Sequence, residues 1–130
     1  MFDAAARELL SQPIIVRIST IDRNGYPHVV PVWFILDGDD LVVFTARRTA
    51  KVKHIRNNPK GSIAVGGDPA GNPGYLIIGD YEVEDDTDWT WAKRITYHYE
   101  EKSKAEEDFK EWEGGDFVAI RLKPSKVLKV

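Results

Sequence analysis

Cysteine is missing from all 130 residues, which removes disulfides, thiol catalysis and thiolate metal sites together and fits a reducing compartment. No apolar run approaches the roughly 18 residues that a membrane-spanning helix requires. The first ten residues include Asp3, Arg7 and Glu8 and so lack the apolar core of a signal peptide. A basic surplus is absent as well: the net charge of −3 argues against a dedicated nucleic-acid binder. Neither a Gly-x-Ser-x-Gly elbow nor a Walker loop occurs, leaving serine-hydrolase and P-loop chemistry without support. His28, His54 and His98 lie far apart and do not have the spacing of a helical zinc pair. These absences lead to the expectation of a cytoplasmic protein with no metal, membrane or nucleic-acid partner.

What remains is an ordinary globular composition, 42% hydrophobic and 30% charged, in a length that suits one domain over residues 1–130. Phe2, Ala5, Ala6, Leu9 and Leu10 form one stripe of an amphipathic helix that Pro13 ends. Residues 14–21 are rich in β-branched side chains and read as a strand, Asn24-Gly25 as a hairpin turn, and 28–36 and 41–46 as two further strands around Asp37–Asp40. A three-stranded meander over 14–46 follows from this pattern. Thr49 is a suitable N-cap for a helix that Pro59 stops. Further strands fall at 62–65, 75–84 and 117–122, with Val127 to Val130 a candidate edge segment. Helices fall at 88–100 and 103–112, and the Gly/Pro-rich stretch 66–74 is irregular. The sum is a mainly β fold of about six strands with short α-helices, closer to a small barrel than to a sandwich.

Charge is segregated along the chain. No acid lies between Leu41 and Gly67, a stretch holding Arg47, Arg48, Lys51, Lys53, Arg56 and Lys60, whereas Asp80 to Asp116 holds fourteen acids. Arg47, Arg48 and Lys51 cluster where a strand runs into a helix, and cations at a helix N-terminus are unfavourable unless an anion sits among them. A phosphate there would accept the Arg and Lys donors, the Thr49 hydroxyl and free backbone N–H groups together. The alternative is a solvated, basic helix face. In the strand His28–Leu36, Pro31 cannot donate to a ladder, so part of that strand is an edge or a bulge. An edge leaves backbone groups to bond a planar heterocycle, with Val30, Val32 and Trp33 offering apolar surface. A barrel strand that merely tolerates a proline fits the same residues. Glu84-Asp85-Asp86 reads as a solvated turn.

Two runs then carry a resemblance. Ile18–Phe34 (ISTIDRNGYPHVVPVWF) and Leu41–Pro59 (LVVFTARRTAKVKHIRNNP) resemble the opening of pyridoxamine 5′-phosphate oxidase-like proteins, nearest to the small flavin/deazaflavin oxidoreductase branch, over about residues 5–84. The resemblance implies a six-stranded antiparallel split β-barrel of the FMN-binding type, working as a homodimer with cofactor sites at the interface. It implies FMN or the deazaflavin coenzyme F420 as cofactor, with Thr45, Arg47, Thr49 and Lys51 on its phosphate and Arg48 as a helper. Backbone groups of Val30, Pro31, Val32 and Trp33 would face the ring. Trp91 and Arg94, with Trp89 and Tyr97, are candidates to close the partner's site, and a core-packing role for Trp89 and Trp91 fits equally. The activity implied is oxidoreduction, hydride transfer to a small planar electron-poor substrate by the cofactor itself, which explains the lack of a protein nucleophile. The alternative is a flavin, haem or tetrapyrrole carrier on the same fold. Residues expected to hold a substrate phosphate in a true pyridoxamine 5′-phosphate oxidase are not found.

Overall fold

A computed structural model describes all residues, 1–130. Helix α1 (Ala4–Leu10) starts where Asp3 Oδ1 accepts the Ala6 N–H at 2.8 Å, and buries Ala6, Leu9 and Leu10. Strands β1 (Val16–Ile21), β2 (Pro27–Val32), β3 (Ile35–Asp37) and β4 (Asp40–Ala46) follow. After them come α2 (Ala50–Asn57), β5 (Lys60–Val65), β6 (Tyr75–Asp85), α3 (Thr90–Tyr99), α4 (Lys102–Glu111) and β7 (Phe117–Lys129). No helix is long and apolar enough to cross a membrane.

The strands make one seven-stranded antiparallel sheet in the order β2-β1-β5-β6-β7-β4-β3, one strand more than the six expected. Two corrections to the sequence reading follow, and the first accounts for the extra strand. Residues 28–36 are not one strand: the chain leaves β2 at Trp33-Phe34 and resumes as β3 at the opposite edge of the sheet. The meander is therefore two separate hairpins, β1–β2 and β3–β4. In turn, the segments expected at 117–122 and from Val127 onward belong to one long strand, Phe117–Lys129, with Pro124 opposite Gly79 at a register shift, where a missing N–H does least harm to the ladder.

Alternation along the strands sets the core. Val16 and Ile18 of β1, Leu41 and Val43 of β4, Ile63 of β5, Ile77 of β6 and Val118, Ile120 and Leu122 of β7 all turn inward and pack with Phe34 and α1. The sheet is thus rolled around one apolar centre, with β2 and β3 as its two free edges. On the outside, α3 packs on β3, β4 and β7, burying Ala92, Ile95 and Thr96 against the outward face that carries Val42 and Ala119. Helix α2 lies across β1 and β6, fixed by Val52 and Ile55.

The acidic run before α3 is not a solvated turn. Asp86 is buried, and its two carboxylate oxygens accept the Trp91 and Ala92 N–H groups, each at 2.8 Å. It satisfies two of the free donors at the start of α3. Glu84 reaches Arg121 and Asp85 reaches Arg47.

Candidate functional site

The strip after β4 divides into two groups. Thr45 Oγ1 donates to Thr49 Oγ1 at 3.3 Å, and Thr49, although it occupies the N-cap of α2, makes no side-chain bond to the helix. The first-turn N–H groups of α2 therefore have no side-chain acceptor. Lys51 is half-buried and has no carboxylate within ion-pair distance, so burial alone pushes its amine below the ordinary lysine range. A desolvated, unpaired ammonium is unfavourable in the protein by itself. Arg48 is exposed and also unpaired.

Arg47 turns the other way. Its backbone N–H donates to the Asp116 carbonyl at 3.0 Å. Its Nε and Nη2 donate to the Asp116 carboxylate at 2.8 and 3.1 Å, and Nη2 also donates to Asp85 at 2.7 Å. Asp116, with Asp85 behind it, holds the guanidinium above the ordinary arginine range, and Arg47 in turn holds the Asp116 carboxyl below the usual carboxylate range. Arg47 and Arg48 line a groove of about 700 Å³ whose other wall carries Trp112, Phe117, Glu111, Glu113 and Asp116.

The edge strand lies close to the same helix. Val29 and Val30 are 59% and 37% exposed, Pro31 is exposed, and only Val32 packs toward the core, so one side of β2 is open as Pro31 led us to expect. The His28 and His54 rings, 4.5 Å apart, join β2 to α2. His28 Nε2 sits 2.9 Å from Asp22, whose carboxyl is held low first by that contact and then by the Tyr26 N–H. His54 Nδ1 sits 2.9 Å from the buried Thr20 hydroxyl. His28 shares a strand face with Val30, and His54 stands one helical turn after Lys51, so the two strips singled out from the sequence are neighbours. A second groove, about 400 Å³, runs beside this contact and is lined by Arg23, Lys53 and His54 among others.

The remaining candidates lie on the α3 side. Trp33 stacks flat on Tyr99 at 4.7 Å and 5°. The Tyr99 hydroxyl donates to the Ile14 carbonyl at 2.5 Å and accepts the Phe34 N–H at 3.1 Å, and burial pushes its phenol up to about 12. The Arg94 guanidinium lies 4.6 Å from the Trp91 ring and Arg121 5.3 Å from it. Arg121, largely buried, also meets Asp37, Asp40 and Glu84. Trp89 packs edge-on against Phe117 and Phe109, and Tyr97 against Phe109. Sequence reasoning missed Tyr99, Asp85, Asp116 and Arg121. Their partners are distant in the chain, and an acidic or aromatic residue alone carries no sign of a remote contact.

The fold has known counterparts. A family model for pyridoxamine 5′-phosphate oxidase matches residues 2–130. No curated protein matches the sequence. Among solved structures, an F420 reductase is similar with a TM-score of 0.76 at 22% identity, over 94% of each chain. General Stress Protein 26 from Bacillus anthracis gives 0.71 at 18% identity, over 97% of this chain and 91% of that one. HupZ from Group A Streptococcus gives 0.70 at 16% identity, over 100% of this chain and 94% of that one. Likeness at these identities is likeness of fold. The family match takes in the edge strand, the Thr45–Lys51 strip and the long last strand, and by it the chain belongs to the pyridoxamine 5′-phosphate oxidase family.

Proposed function

We propose that this protein binds FMN or coenzyme F420 as a homodimer in the cytoplasm and acts as an oxidoreductase on a small, planar, electron-poor substrate. The observation that carries the reading is Lys51, half-buried without a counter-ion beside the Thr45–Thr49 pair. An anionic cofactor tail supplies the missing charge and accepts the hydroxyl and first-turn N–H donors. Thr45, Thr49, Lys51 and Arg48 meet the phosphate, and Arg47 stands behind them with its charge shared between Asp85 and Asp116. The open side of β2 at Val30 and Pro31 offers apolar surface to a flat ring, with backbone groups from Val30 through Trp33, and fits either cofactor. Trp91 and Arg94 serve the neighbouring protomer's site across the dimer.

When bound, such a cofactor supplies the hydride, and the residues named here bind and orient it. A second copy covers the exposed apolar edge of β2, which otherwise leaves a strand edge open to water. Titrating protein with each cofactor while following the ring absorbance tests the reading, with Lys51→Glu as the control. The parent should bind one of the two, and the variant should lose about two orders of magnitude in affinity, as expected for replacing a charge-assisted bond by repulsion. Equal affinity in parent and variant removes Lys51 from the site.

A further inference from the structure

The anion invoked above exists in two charge states, and the groups around Arg47 distinguish them. A phosphomonoester, such as the end of FMN, loses its second proton near pH 6 and is a dianion above it. A phosphodiester, such as that in F420, carries one negative charge throughout. Three cations stand on residues 47–51. One of them is overcompensated: Asp116 and Asp85 both bond Arg47, so this knot of one guanidinium and two carboxylates carries one net negative charge. Glu111 and Glu113 line the groove that Arg47 and Arg48 share, and neither has an ion-pair partner. Lys53 and His54 on α2, with Asp22 and Arg23, line the other groove, and His28 from β2 packs on His54. Within residues 45–51, Arg48 and Lys51 remain free to answer a ligand's charge beside Thr45 and Thr49.

We infer that this site selects a singly charged phosphodiester over a phosphomonoester dianion, with Asp116 and Asp85 as the residues that set the preference. The inference rests on the cofactor reading above. Each carboxylate repels the second charge of a monoester and keeps Arg47 from turning toward it. At separations of several ångströms near a protein surface, one such charge alters affinity by about two- to five-fold.

FMN and its methyl phosphodiester share one ring and differ only in tail charge, so the ratio of their affinities isolates this effect. It is measured by flavin fluorescence at about pH 5 and about pH 8, either side of the phosphate ionisation. Any change in protein charge between the two pH values acts on both ligands and largely cancels in the ratio. The parent protein should move toward the diester by about two- to five-fold on going to the higher pH. Asp116→Asn and Asp85→Asn should each move the ratio back toward FMN. Both side chains are well exposed, 67% and 72%, so these changes leave the fold intact. A parent ratio that moves toward FMN with rising pH, or one that neither variant changes, overturns the assignment. Failure of both ligands to bind overturns the cofactor reading itself.

Discussion

Lys51 links the stability of the chain to its site. Its amine is lowered by burial from an ordinary 10.5, so between the folded and the unfolded pKa the folded chain binds fewer protons than the unfolded one. Stability therefore climbs as pH rises through that window, and the destabilisation is fully present below the folded pKa. Lys51→Met should raise the melting temperature of the ligand-free protein at neutral pH and abolish that climb. The same change should weaken cofactor binding by about ten- to a hundred-fold, the worth of one charge-assisted hydrogen bond. Melting curves with and without ligand check both halves. A lower ligand-free melting temperature in the variant would mean that the ammonium is already satisfied within the protein. Charge segregation made this residue legible in the sequence. The engagement of Arg47 was not legible, because its partners lie 38 and 69 positions away.

Among the elements, α3 is the one whose placement most affects the candidate site, since it carries Trp91, Arg94 and Tyr99. Its entry is strained: Asp88 and Trp89 both adopt left-handed backbone, φ 57°, without being glycine. Asp86 holds that entry by accepting two N–H groups, so Asp86→Ala should cost about 1–2 kcal/mol in urea unfolding, with Asp86→Asn closer to the parent. An unchanged midpoint in the alanine variant would show that water caps the helix equally well. At the far end, Tyr99→Phe keeps the stack on Trp33 but leaves the Phe34 N–H and the Ile14 carbonyl without their partner. A loss of about 1–3 kcal/mol with little change in near-ultraviolet circular dichroism is expected. The helices were legible from their apolar spacing and the first hairpin from Asn24-Gly25. The break at Trp33-Phe34 was not, because an uninterrupted apolar run gives no sign of where a strand changes partner.

At the scale of the molecule, the two edges of the sheet have different surroundings. Edge β3 is held by Arg121 through Asp37, whereas β2 presents Val29, Val30 and Pro31 to solvent beside the exposed Ile15. In the proposed dimer, a second copy docked on β2 would cover that surface and bring another α3 toward the ring site. Val29→Asp should convert a dimer to a monomer in light scattering and weaken cofactor binding at least about ten-fold, since a charge in a docked apolar edge is left desolvated. A parent protein that is monomeric at high concentration would remove the second wall of the site. The family's overall order was readable from the Leu41–Pro59 run. The course of the last strand was not, because Pro124 hides a single strand behind a local irregularity.

Equilibrium titration of the purified protein with FMN and, separately, with F420 tests the central claim most directly. Saturable uptake of one ring per chain, at micromolar affinity or tighter and lost in Lys51→Glu, is the predicted result. Absence of binding by either cofactor at about 100 µM, some 5 kcal/mol of standard binding free energy, would contradict it.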